Sequence, residues 1–108
     1  MSETLKKELV QRITRNLLDI QILRLIQTRP MWGYIIKKKV EERFQIRLRH
    51  GALYPLLNHL EQDGFSTSQK QQQDGRTRKI YEITQKGNLY LHVYSEILRE
   101  QLDGKDIN

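Results

Sequence analysis

The sequence contains no cysteine, which at once removes disulfide scaffolds, zinc ribbons and thiol nucleophiles. It has no apolar run close to the ~20 residues that a membrane-spanning helix needs. The opening stretch, MSETLKKELV, has no apolar signal core. A cytoplasmic protein without membrane contact is therefore the expectation. No glycine-rich phosphate loop is found, and His50, His59 and His92 do not fall at metal-ligand spacing. Carboxylates are scattered among lysines, as on ordinary solvated faces. These gaps argue against an enzyme and give no reason to expect a cofactor or a metal.

What is present is a basic chain of 108 residues, with 19 Lys and Arg against 13 Asp and Glu for a net charge of +6. The length fits one domain. The charge favours polyanionic partners, nucleic acid first. With 37% apolar residues, a chain this short buries a limited share of its surface, and a second copy would add to its core.

The chain divides at its glycines and its two prolines. A first helix is expected from about Thr4 to Gln27. Leu5, Leu9, Ile13 and Leu17 recur at helical spacing and form a stripe for a partner. Further on, Ile20, Ile22, Leu23, Leu25 and Ile26 cover more than one face and read as core. A second, short amphipathic helix runs from about Trp32 to Phe44, with Tyr34, Ile35, Val40 and Phe44 able to face inward. Trp32 reads as a core plug at its start. Ile46 to Leu48 could form a brief strand.

A third helix spans Gly51 to Asp63. Leu53, Leu56, Leu57 and Leu60 make its apolar face. Pro55 is tolerable only in or just past the first turn, where its missing N–H has no partner to lose. Asp63-Gly64 stops the helix. Asp74-Gly75 between two extended stretches, Phe65 to Gln73 and Arg76 to Ile83, signals a two-residue hairpin. Thr84 is a good N-cap for a last helix, Gln85 to Leu102. That helix would be ~27 Å long at 1.5 Å per residue. Tyr90, Val93, Tyr94, Ile97 and Leu98 stripe it. Residues 103–108 read as a flexible tail.

The predicted fold is thus mainly α with a small β-hairpin. Residues 1–102 form one winged helix-turn-helix domain, in which 1–16 and 85–102 are dimerisation helices. In this motif the third helix enters the major groove. With its leucines buried, it turns Arg49, His50, Ala52, Tyr54 and Asn58 the other way. Arginine suits guanine or phosphate, asparagine suits adenine, alanine a thymine methyl and tyrosine a phosphate. The hairpin tip adds Arg76, Thr77, Arg78 and Lys79, a basic loop able to lie along phosphates or enter a minor groove. Lys38 and Tyr34, on the helix that crosses the backbone, complete the candidate DNA-binding set. The candidate dimer seam is Leu5, Leu9, Ile13, Tyr90, Val93, Tyr94, Ile97 and Leu98.

These residues also carry a family resemblance. Leu17 to Ile26 followed by Trp32-Gly33-Tyr34-Ile35-Ile36 resembles the opening of the PadR-like transcriptional regulators. Gly51-Ala52-Leu53-Tyr54-Pro55-Leu56-Leu57 resembles the family's recognition-helix motif. Leu60 to Phe65 resembles the helix exit, and Gly75 to Thr84 resembles the wing. The resemblance spans about Ile13 to Gly87 and implies membership of the short subgroup. It implies a homodimer whose last helix packs on the partner's first, a pseudo-palindromic double-stranded DNA operator, often repression, and in many members a small-molecule effector. Ala52 stands where threonine or serine is usual, Thr77 where proline is, Trp32 where a smaller aromatic or histidine is, and Ile80 where tyrosine is. The first change alters a base-facing side chain, so no operator sequence transfers. Two other readings fit the same pattern: a winged-helix protein-interaction module, such as a clock or transcription accessory factor, and a protein whose main task is small-molecule sensing.

Overall fold

The computed structural model describes residues 2–108, except for the side chain of His50. Its elements follow the order α1 (Ser2–Asn16), α2 (Leu18–Thr28), β1 (Met31–Trp32), α3 (Gly33–Phe44), α4 (His50–Gln62), β2 (Ser66–Gln73), β3 (Arg76–Ile83) and α5 (Gln85–Asp103). No helix among the described residues is long and apolar enough to cross a membrane.

The long first helix expected from the sequence is two helices. Leu17 leaves helical geometry at φ −124° and ψ 44°. The hydrogen-bond run is nearly kept, because the Leu17 N–H still donates to Ile13 O at 2.8 Å. The break separates two incompatible burial demands. α2 is driven into the centre by Ile20, Ile22, Leu23 and Ile26, whereas Thr14 is the one buried residue of α1. A straight helix could not turn a wide apolar surface to the core and a narrow stripe away from it.

The second correction concerns the short strand. Ile46 and Leu48 are buried at alternate positions, as a strand would have them, but residues 45–49 pair with nothing. The Glu41 carboxylate takes the Leu48 N–H at 2.9 Å, in place of a strand carbonyl. The actual third strand is β1, which pairs antiparallel with β3 through Met31↔Tyr81 and Trp32↔Ile80. The sheet order is β1-β3-β2.

The remaining elements follow their sequence signals. α4 buries Leu53, Leu57 and Leu60 and keeps Pro55 near its start. Gly64 caps it at φ 82°, with the Phe65 N–H returning to Leu60 O at 2.9 Å. β2 and β3 pair from Ser66↔Ile83 to Gln73↔Arg76. Asp74 and Gly75 both take positive φ, at 52° and 77°, as a type I′ turn demands. Thr84 caps α5 by accepting the Gly87 N–H at 3.1 Å, and donates its own hydroxyl hydrogen to Gly64 O at 2.6 Å. One hydroxyl therefore ties the end of α4, the base of the hairpin and the start of α5. After α5, Gly104 turns left-handed and the Lys105 N–H returns to Glu100 O at 3.0 Å.

The core gathers α2, the inner faces of α3 and α4, Met31 and Tyr81, and ends at Leu91 on α5. Beyond Tyr94 the last helix leaves the core, and the molecule measures 55 × 33 × 22 Å.

Candidate nucleic-acid interface

α4 turns its leucines inward, so Ala52, Tyr54 and Asn58 are left on its exposed side. The start of α3 lies beside it. Gly33 lacks a side chain where one would meet the Tyr54 ring at 3.0 Å, so the tyrosine settles across the first turn of α3. Tyr34 projects from that turn and is 61% exposed. It does not face inward, as the pattern had allowed, because Ile36 and Val40 already fill the core side of α3.

Opposite these two tyrosines runs β3. Because β1 is two residues long, β3 is paired on that side only at Ile80 and Tyr81. Residues 76–79 therefore present an open edge. Between this edge and the helices lies a cleft of about 820 Å³, lined by Trp32, Gly33, Tyr34, Tyr54, Asn58, Arg76, Thr77, Arg78, Lys79 and Tyr81. Its charged side chains are all cations, and the tyrosines and Trp32 give it flat apolar walls.

Seven of the sequence-predicted DNA-binding residues meet in this cleft: Tyr34, Tyr54, Asn58, Arg76, Thr77, Arg78 and Lys79. Lys38, Arg49 and Ala52 are exposed on α3, at the N-cap of α4 and in its first turn, outside the cleft lining. His50 opens α4, but its side chain lies outside the described residues.

Trp32 corrects the expectation of a core plug. It is half-buried on β1, and the Arg78 guanidinium lies 4.3 Å from the centre of its ring. Met31 takes the buried place beside it. In the sequence nothing marks Trp32 as a wall of the site, because the two-residue strand that orients it has no periodic signal.

Two carboxylates absent from the candidate list hold the site's geometry. Glu61, on α4, accepts the Ser68 hydroxyl of β2 through both oxygens, at 2.8 and 3.0 Å. Glu41, on α3, binds the Leu48 N–H and an ion-paired Lys37 at 3.5 Å. That backbone bond is the main reason its carboxyl is held below the ordinary glutamate range. The Tyr81 phenol is pushed up, first by burial and then by the nearby Glu61 and Tyr54. Among the described residues no group of three His, Asp or Glu side chains is placed to hold a metal.

The candidate seam residues lie elsewhere. Leu5, Leu9 and Ile13 on α1, and Val93, Ile97 and Leu98 on α5, are exposed apolar side chains. Tyr90 is partly engaged within the chain, its ring stacked on Phe65 with centroids 4.4 Å apart. Tyr94 packs against the edge of the core.

The chain as a whole has relatives in sequence and in fold. A transcriptional regulator of Mycobacterium tuberculosis is 37% identical over 67 residues, covering 58% of this chain and 63% of that protein. The crystal structure of a PadR family transcription regulator from Clostridium difficile superposes with a TM-score of 0.70 at 26% identity, covering 83% of this chain and 97% of that one. Bacillus subtilis PadR, solved in complex with operator DNA, superposes with a TM-score of 0.67 at 28% identity, covering 72% of this chain and 45% of that one. The model of the transcriptional regulator PadR-like family matches residues 22–93, a stretch that runs from α2 through the cleft to the exposed part of α5. The chain belongs to the PadR-like family of transcriptional regulators.

Proposed function

We propose that this regulator binds double-stranded DNA through the α4–hairpin cleft, acts as a homodimer, and represses by occupying its site. One observation carries the reading. The free side of α4 and the cationic edge of the hairpin open onto one cleft with no carboxylate in its lining. A recognition helix beside a basic wing is the arrangement that seats a helix in the major groove and a loop on the flanking backbone. The DNA-bound state of the Bacillus subtilis relative supports it.

In this reading Asn58, Ala52 and Arg49 face base edges or the adjoining phosphates. Tyr34, Lys38 and Tyr54 donate to the backbone, and Arg76, Thr77 and Lys79 follow it along the wing. The dimer reading rests on the apolar stripes of α1 and α5. A bound dimer places two such clefts on successive turns, ~34 Å apart, and denies that stretch of promoter to other proteins.

The test is selection of genomic fragments by the protein, followed by affinity measurements across a salt series. Retention of particular fragments at moderate salt is expected. Each phosphate neutralised contributes about −0.9 to the slope of log affinity against log salt. Arg76→Ala with Lys79→Ala should weaken all fragments alike and flatten that slope. A double variant with unchanged affinity and slope would remove the wing from the interface.

A further inference from the structure

The outer hairpin has almost nothing to hold it. From Gln69 to Lys79 every residue is exposed except Arg78. The strands there are polar, with Gln69, Lys70, Gln71, Gln72 and Gln73 facing Arg76 to Ile80 across the ladder. An isolated two-stranded ribbon without an apolar face is marginal in water. The Glu61–Ser68 bond fixes the base of the hairpin but lies short of its outer half.

The exception is the stack between Arg78 and Trp32. Trp32 pairs with Ile80, and Arg78 is two residues along β3, on the same side of the pleat. The two side chains are thus diagonal cross-strand neighbours, within reach of a large aromatic. The guanidinium lies 4.3 Å from the ring centre, inside the range for cation–π attraction. Trp32 is itself well anchored, with buried Met31 on one side and the start of α3 on the other. Its backbone is extended, at φ −73° and ψ 155°, as the residue that precedes α3.

We propose that Trp32 is a positioning residue for the wing, its indole clasping Arg78 and so holding the outer hairpin at a fixed distance from α4. An unclasped wing would sample many attitudes, and DNA would have to order it on binding, at a cost in affinity. The clasp leaves the arginine charged, so one residue can brace the wing and still attract a phosphate. The consequence for affinity rests on the DNA-binding reading above; the clasp itself does not.

Two measurements on the DNA-free chain test the clasp. Trp32 is the single tryptophan, so emission and acrylamide quenching report on it alone. Arg78→Gln should redden the emission and raise the quenching constant. Hydrogen exchange of the amides from Gln69 to Lys79 should speed up in Trp32→Ala and return toward the parent rate in Trp32→Phe, while amides of α2 keep their protection. On a selected DNA fragment, Trp32→Ala should lose about threefold to tenfold in affinity with its salt slope intact, because Arg78 keeps its charge. Arg78→Gln should flatten the slope, and adding Trp32→Ala to it should cost little more. Unchanged quenching in Arg78→Gln, unchanged exchange in Trp32→Ala, or losses that multiply in the double variant would each overturn the clasp. If the parent retains no DNA while the exchange difference stands, the DNA-binding reading fails and the clasp survives.

Discussion

Glu41 sits on α3, but its carboxylate works on the segment that leads into α4. By taking the Leu48 N–H it satisfies a donor that no strand is present to satisfy, and it fixes the backbone next to Arg49. Because that bond favours the ionised form, its pKa is lowered in the folded chain. The stability it contributes is therefore present above the ordinary glutamate pKa and is lost as pH falls through the lower, folded value. Glu41→Gln should unfold at a lower temperature than the parent at about pH 7, and the gap should narrow in acid, below the ordinary glutamate range, as the Glu41 carboxylate takes up its proton. Thermal melts at neutral and acid pH check this. A gap that persists undiminished in acid would show that the charge is not what holds the segment. Neither Glu41 nor Glu61 could be singled out in the sequence, because a carboxylate that braces a neighbouring backbone and one that faces water have the same local pattern.

At the scale of elements, α5 and the hairpin are locked by a near-contact of main chains. A methyl group on Gly87 would lie 2.2 Å from Phe65 O and 2.6 Å from Ile83 Cγ1. One of these is backbone and cannot rotate away. Gly87→Ala should therefore cost about 1–3 kcal/mol, the usual penalty of overpacking, whereas Gly51→Ala, with open space around its added methyl, should gain up to about 1 kcal/mol from helix propensity. Urea unfolding of the two variants decides between them, and equal effects would refute the close packing. The elements that could be read ahead of the structure were those with strong local signals. The Asp74-Gly75 turn, the Thr84 cap and the leucine face of α4 each need only neighbouring residues to declare themselves. The break at Leu17 and strand β1 needed long-range information. The first depends on where the core lies, and the second on Tyr81 and Ile80, far along the chain. The same divide runs through the site. The cations of the wing and the polar face of α4 were legible from alternation and periodicity, and the aromatic wall that Trp32 provides was not. Tyr34 was legible only in part, since a pattern that placed it inward competed with its place among the DNA-facing residues.

For the whole molecule, the question is what keeps α1 and α5 helical. α5 runs for 19 residues, of which Gly87 and Leu91 are buried; α1 runs for 15, with Thr14 alone buried. Helices of this length are marginal in water without packing, and most residues of each are exposed. Their exposed side chains are not random. Leu5, Leu9 and Ile13 lie along one side of α1, while Val93, Ile97 and Leu98 lie along α5, which is the composition of a surface meant to be covered. In an isologous pair one patch meets its own copy, so a single substitution acts twice. In the proposed dimer Ile97→Glu would bring two carboxylates into the seam, where unpaired charge is costly. Sedimentation equilibrium should give twice the chain mass for the parent and one chain mass for this variant at the same concentration. Ile97 lies outside the core that stabilises α4 and the hairpin, so the variant's single clefts should stay intact. Its loss of DNA affinity should then be far larger than the loss from any one cleft residue, because half of the contacts leave together. A parent chain that sediments as a monomer would leave the two stripes without an occupant and would require each recognition helix to find its groove alone.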